Sequence, residues 1–414
     1  MENLKIKIVS LLRWSEKYTK TDMVYLTKNS FWINANTIIV SIFSFVLSIA
    51  FARFVSKDTY GIYQFVISLS GIIGAFTLTG MNTAVTQAVA RGFEGVFQKS
   101  VRTQIKFAFI PLLIGLAISL YYALNLNSTL STSLIIVAIF LPLSNALNTW
   151  GAFLNGKKEF GNYFKLNQIT NFIYYGGMIT SIILLPNVIL LIALNFLLGI
   201  VSNLVIYKLV VKKYKPNQNQ DNENIHFGKK LSLSNILPII ALSIDNIIIF
   251  HYLGATNLAI YAFASNIPER LGGLMRPISM IAFPKFSEQD PEILKENIYK
   301  KTLKFFILAI IAGIIYIFIS PYFFKLLFPL YTDSVFYSQL YTIAVIISLT
   351  ATLPLTSIYA RKLSRIYILN IIYPLASIIL LVLGGYFGGL IGVIYAKIAS
   401  SILLLGGTLY LNKY

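Results

Sequence analysis

Five ionisable residues stand inside apolar stretches of this 414-residue chain: Asp245, Glu269, Arg270, Arg276 and Lys397. A charge at the centre of a membrane-spanning helix costs about 2.5 to 3.5 kcal/mol on insertion scales, so such residues are kept for pairing or for contact with a polar cavity. At about 1.5 Å of rise per residue, Asp245 lies about 12 Å, Lys397 about 14 Å and Glu269 about 16 Å from the outer ends of their apolar stretches. Those three share a level near the midplane, whereas Arg276, about 27 Å in, belongs to the cytoplasmic mouth. Arg270, Arg276 and Lys397 could cradle an anion, arginine by bidentate contact and lysine as a point charge. Asp245 and Glu269 could couple transport to a proton or sodium ion, or could pair with Lys397 or Arg276 only to hold helices together.

Spacing sorts these residues by face. Asn266, Glu269, Gly273 and Arg276 stand at i, i+3, i+7 and i+10, and Asn235, Pro238, Leu242 and Asp245 repeat that interval. Lys397 shares a face with Ser401. Further upstream, Asn34, Thr37, Ser41, Ser44 and Ser48 make a neutral polar stripe. Asn34, Thr37, Ser41 and Asn266 are therefore expected to line a wet cavity, although small hydroxyl residues also serve helix packing in membranes. Soluble-enzyme constellations are missing: there is no Walker loop, no HExxH and no nucleophile elbow, and His226 and His251 belong to different regions. With no cysteine there is neither a disulfide nor a thiolate metal site. A transporter without cofactor or metal is expected, rather than an enzyme.

The elements that must hold these residues are membrane helices. Hydrophobic residues make up 57% of the chain and charged residues 12%. Twelve apolar stretches reach or approach the roughly 20 residues a spanning helix needs, at about 31–52, 62–83, 104–123, 131–154, 165–185 and 187–208, then 231–253, 258–283, 302–320, 335–359, 364–385 and 388–411. Only Leu185-Pro186-Asn187 separates the fifth from the sixth, so a count of eleven stays open. Barrel strands would be about half as long and alternating, so the expected class is an all-α integral membrane protein.

The formal charge of +19 would suit a nucleic-acid binder if it formed a patch, but it is distributed by loop. Of the 34 lysines and arginines, 28 fall on the termini and every second loop, 3 on the other loops and 3 within the spans. The positive-inside rule then places both termini in the cytoplasm and excludes nucleic acid as the partner, with attraction to anionic membrane lipid as a secondary effect. Residues 1–20 mix apolar side chains with Lys5, Lys7, Arg13 and Lys17 and read as an interfacial helix.

One polar, low-complexity stretch divides the chain: a cytoplasmic linker at 212–230 between an N-terminal six-helix lobe, residues 1–211, and a C-terminal six-helix lobe, residues 231–414. A repeat supports that division, since Ile62-Tyr63-x-Phe65 falls on Ile260-Tyr261-x-Phe263 at an offset of 198. Two pseudo-symmetric six-helix bundles about a central cavity are an architecture of alternating-access transporters.

Several motifs resemble a known family. Ala52-Arg53-Phe54-Val55, Tyr60-Gly61-Ile62-Tyr63 and Gly80-Met81-Asn82-Thr83-Ala84 are similar to the first two helices of polysaccharide flippases of the Wzx type. The segment Asp245 to Gly254, Ile260-Tyr261 and Phe283-Pro284-Lys285-Phe286-Ser287 resembles the same family's seventh and eighth helices. The resemblance implies a fold like the multidrug and toxic-compound exporters (MATE-like) in a bacterial inner membrane. It also implies an undecaprenyl-pyrophosphate-linked oligosaccharide as substrate, moved to the outer leaflet for O-antigen, capsule or exopolysaccharide assembly. Its partners would be a polysaccharide polymerase and chain-length machinery. Twelve spans rather than fourteen depart from the peptidoglycan-precursor branch, and none of the three cations maps onto a family motif. A cation-coupled multidrug or metabolite exporter on the same fold is the alternative, and a membrane-bound polymerase or ligase is a third reading.

Overall fold

The computed structural model describes residue 13 and residues 23–288, 291–361 and 366–413. Apolar chain in lipid can satisfy its backbone by coiling, and the described residues form helices with short connections and no strand. In chain order the helices are α1 (Met23–Phe54), α2 (Lys57–Gly74), α3 (Met81–Ala90), α4 (Gly95–Phe107), α5 (Phe109–Leu124), α6 (Ser128–Leu147), α7 (Trp150–Gly156) and α8 (Phe160–Leu184). They continue with α9 (Val188–Tyr214), α10 (Asn222–Leu253), α11 (Ala255–Glu288), α12 (Pro291–Leu327), α13 (Ser334–Thr350), α14 (Thr352–Ala360) and α15 (Ile366–Lys413). Eight stretches among the described residues are helical, long and apolar enough to cross a membrane, which makes this a multi-pass membrane protein. The interfacial helix expected over residues 1–20 lies, apart from Arg13, outside the described residues.

Local chemistry sets the helix ends. Ser56 accepts a hydrogen bond from the Thr59 amide at 3.2 Å to start α2, and Asn127 accepts from Leu130 at 3.0 Å to start α6. The narrow gap at Leu185-Pro186-Asn187 is a true break: Asn187 accepts from the amides of Ile189 and Leu190, and α8 and α9 pack on each other. At the other end of the chain α15 runs through two expected spans but turns at Gly389, whose φ is 57°. There the backbones of Gly384 and Gly392 meet so closely that neither position has room for a Cβ.

The span expected to run unbroken over 62–83 is instead interrupted, because α2 stops at Gly74 and α3 starts at Met81, with Leu78 between them at φ 58°. Side chains satisfy the freed backbone groups. Thr77 donates to the Gly74 carbonyl at 2.7 Å, Asn145 donates to the Thr77 hydroxyl at 2.9 Å, and the Gly80 amide donates to Ser232 Oγ at 2.9 Å. A Cβ on Gly80 would stand 2.6 Å from the Ser232 nitrogen, so the glycine lets α3 and α10 touch backbone to backbone.

The two copies of the repeat face each other, since α2 packs on α11 with Gly61 directly against the Ala255 carbonyl. An aromatic seam runs beside that contact. Phe51 and Tyr60 have ring centres 5.0 Å apart, Tyr60 and Phe263 4.9 Å, and Phe263 and Tyr331 3.9 Å. Aromatic contacts of this kind add to area burial and bind α1 and α2 to α11 and to the short turn at Pro329–Tyr331. At the same end Lys57 pairs with Asp333 at 2.7 Å, and Arg53 donates to the Leu326 carbonyl at 2.9 Å.

Candidate functional site

A polar cavity of about 440 Å³ opens between α1, α2, α10 and α11. Its lining includes Ser41 and Ser44 from α1, Gln64 from α2, Asp245 and Asn246 from α10, and Asn266, Glu269 and Arg270 from α11. Helical spacing explains the α11 set, because positions 269 and 270 each stand about one turn beyond position 266 and flank its face.

Arg270 reaches across the cavity to α1. Its Nε donates to Asn266 Oδ1 at 2.6 Å, and its terminal nitrogens donate to Ser44 Oγ at 2.7 Å, the Ser41 carbonyl at 3.1 Å and Ser48 Oγ at 3.3 Å. The polar stripe is suited to receive it. Thr37, Ser41, Ser44 and Ser48 each donate their hydroxyl hydrogen to a carbonyl of the preceding turn, so each hydroxyl oxygen is left to accept. A guanidinium has only donors, and the Phe45 ring lies 5.7 Å from its carbon. None of the four ion pairs among the described residues includes Arg270.

The carboxylates are arranged differently. Asp245 is buried and forms an ion pair with Lys397 of α15 at 2.8 Å, while the phenol of Tyr261 donates to the same oxygen at 2.7 Å. Glu269 accepts from the Tyr341 phenol at 2.6 Å, and the two tyrosine rings meet edge to face at 5.8 Å. Acid, phenol, phenol and acid thus form a row from α15 and α10 through α11 to α13. Beside it, Asn246 donates to Ser68 at 2.7 Å and ties α10 to α2.

The structure therefore gathers Ser41, Asp245, Asn266, Glu269 and Arg270 at one cavity. Lys397 joins it through its pairing with Asp245. Asn34 and Thr37 are exposed on α1, on the same stripe but below the Arg270 contacts. Arg276 is on α11 where its side chain lies outside the described residues. Tyr261, Tyr341 and Gln64 are site residues that the sequence reading does not propose. The repeat did mark Tyr261, yet nothing in the letters says that its hydroxyl meets a carboxylate.

The comparisons with known proteins agree in direction. Residues 26–289 match the family model described as polysaccharide biosynthesis protein. A Shigella flexneri protein provisionally named an O-antigen transporter is 24% identical over 328 residues, covering 70% of this chain and 74% of that one. Among solved structures, an inward-facing conformation of a multidrug resistance MATE family transporter of the MOP superfamily superposes with a TM-score of 0.73 at 13% identity, covering 90% of this chain and 94% of that one. An outward-facing conformation of such a transporter gives 0.66 at 14% identity, covering 93% and 94%. At such identities the likeness establishes the fold: the helices are arranged as in the MATE transporters.

Proposed function

The chain belongs to the polysaccharide biosynthesis protein family, and from that premise we propose that it is a flippase for undecaprenyl-pyrophosphate-linked oligosaccharides. In this reading it works in a bacterial inner membrane with both termini cytoplasmic. Twelve spans form lobes at 1–211 and 231–414, joined through 212–230, that rock about the central cavity. The Lys57–Asp333 pair and the aromatic seam then act as the outer gate, parting when the cavity turns outward.

The observation that carries the proposal is Arg270. A guanidinium at the cavity wall, held by hydroxyl, carbonyl and amide oxygens and by none of the ion pairs among the described residues, is a site for an anion that the chain itself does not supply. A pyrophosphate head fits that description, since guanidinium and phosphate match in bidentate geometry. Exchanging weak hydroxyl contacts for a phosphate as the substrate enters, and recovering them as it leaves, would let Arg270 bind without trapping. The row from Lys397 and Asp245 to Glu269 is the proposed coupling element, in which protonation of a carboxylate would loosen α10 from α15 or α11 from α13.

The multidrug exporter reading draws on the structural neighbours, but organic cations need uncompensated carboxylates, and Asp245 already faces Lys397. Deletion of the gene separates the two. The flippase reading expects loss of surface polysaccharide, with lipid-linked repeat units accumulating on the inner leaflet. Undiminished polysaccharide together with lost cation-dependent dye efflux would transfer the assignment to the exporter.

A further inference from the structure

A second polar pocket, of about 520 Å³, shares no lining residue with the central cavity and lies between α4 and the segment 215–221 that joins α9 to α10. We propose that it binds the phosphate headgroup of a lipid in the cytoplasmic leaflet; this rests on the topology proposed above, which puts this end of the molecule inside the cell.

The pocket is built by folding a polar connection onto a helix start. Lys215 takes the left-handed conformation at the end of α9, Pro216 prevents the helix from continuing, and Asp221 caps α10. Between them the chain lies on α4: the Gly95 amide donates to the Asn219 carbonyl at 2.9 Å, and a Cβ on Gly95 would come within 2.8 Å of Gln218 and Asn219. The Asn217 side chain donates to the Gly92 carbonyl at 3.0 Å and accepts from the Glu94 amide at 3.2 Å.

Lys99, Arg102 and Lys106 face this pocket at i, i+3 and i+7 of α4. The neighbouring carboxylates are already taken. Glu94 is paired with Lys157 at 2.6 Å, and Asp221 with Arg91 at 2.8 Å. Lys99 is steadied by amide oxygens of Gln220 and Asn222, while Lys229 of α10 lies over the Phe107 ring at 4.8 Å and adds charge at the same end. Glu223, on the first turn of α10, is not among the lining residues. Three cations, amide groups and no lining carboxylate define an anion site.

An apolar stripe continuing along the same face selects a lipid. Phe109, Leu113, Leu116 and Leu120 extend the phase of Arg102 and Lys106 along α5, and all four are exposed. From Phe109 to Leu120 the stripe is about 16 Å long, close to half the hydrocarbon core and so to one acyl chain in one leaflet. Head and tail are thus recognised in register. Membrane phospholipid and the polyprenyl-pyrophosphate carrier share this chemistry, and bound here either would pin segment 215–221 to α4, at the joint about which the lobes would rock.

Native mass spectrometry of the purified full chain tests the site, with phosphatidylglycerol, phosphatidylcholine, undecaprenyl pyrophosphate and inorganic pyrophosphate as probes. The wild type is expected to retain phosphatidylglycerol over phosphatidylcholine, and Arg102→Gln with Lys106→Gln to weaken that retention about tenfold or more. Arg270→Ala should leave it unchanged, which keeps the site distinct from the cavity. Displacement of phosphatidylglycerol by undecaprenyl pyrophosphate in the Arg270→Ala protein would assign the site to the carrier, and its persistence would assign it to phospholipid. Equal lipid retention by the double variant, or inorganic pyrophosphate bound as tightly as lipid, would overturn the proposal. Because both side chains are exposed, the variant is expected to fold, and its elution as the wild type makes the reading independent of transport.

Discussion

Arg270→Ala is expected to reduce surface polysaccharide by about 10- to 100-fold while the protein remains inserted at its normal level. Hydrogen bonds to a charged group contribute about 1.5 to 3 kcal/mol each, and loss of one such interaction with a phosphate corresponds to roughly that factor in affinity. In the resting cavity the residue is replaceable without structural loss, because its partners Ser44 and Ser48 already donate to their own helix and would accept water instead. Arg270→Lys should recover part of the export, since a lysine supplies the charge without the planar fork. Immunoblotting of membranes alongside quantified surface glycan checks both points. Normal export by the alanine variant would remove Arg270 from the substrate path.

Asp245→Asn should have the largest effect on stability. Lys397 would keep its charge in a half-buried site with its counter-ion gone, and breaking a buried pair on one side costs about 3 to 5 kcal/mol. Side-chain exposures of 21% for Lys397 and 7% for Asp245 leave little water to take over. Removing both charges together, as Asp245→Leu with Lys397→Met, should restore most of the thermal stability, because replacing a buried pair by apolar side chains of similar size is often neutral. Transport then separates a structural pair from a coupling element. The proposed coupling expects the double variant to be stable but to have lost its response to an imposed pH gradient, as read by detergent thermal melting and by transport in parallel. A stable double variant with the wild-type response would reduce Asp245 and Lys397 to helix pairing.

Much of this arrangement was legible in the residues because lipid penalises exceptions. Asp245, Glu269, Arg270 and Lys397 stand out against apolar neighbours, and helical phase put Ser41, Ser44 and Ser48 on one side of α1, where the structure brings Arg270 to meet them. The letters Leu185-Pro186-Asn187 marked a narrow gap but left it open whether the chain breaks there, and only the cap that Asn187 makes on Ile189 and Leu190 decides it. Long-range pairing was not legible. Asp245 could have met either Arg276 or Lys397, and only the packing of α10 on α15 brings Lys397 to it. Nor could the break at Leu78 be read, because Gly74, Thr77 and Gly80 form an ordinary-looking apolar run until Ser232 of α10 is placed beside them. The segment 215–221 looked like a plain polar connection for the same reason: its asparagines and glutamines gain meaning only from Gly95 and Lys99 opposite.

The central claim is that a cavity guanidinium carries an anionic, lipid-linked glycan through the membrane. It is tested most directly by reconstituting the purified chain in liposomes with lipid-linked oligosaccharide and following, with an external glycosidase, the glycan that becomes accessible over time. Wild-type protein is predicted to expose the shielded half of the substrate, and Arg270→Ala, reconstituted at equal density, to leave it shielded. Equal exposure by both proteins, or no exposure beyond that of protein-free vesicles, would contradict the claim.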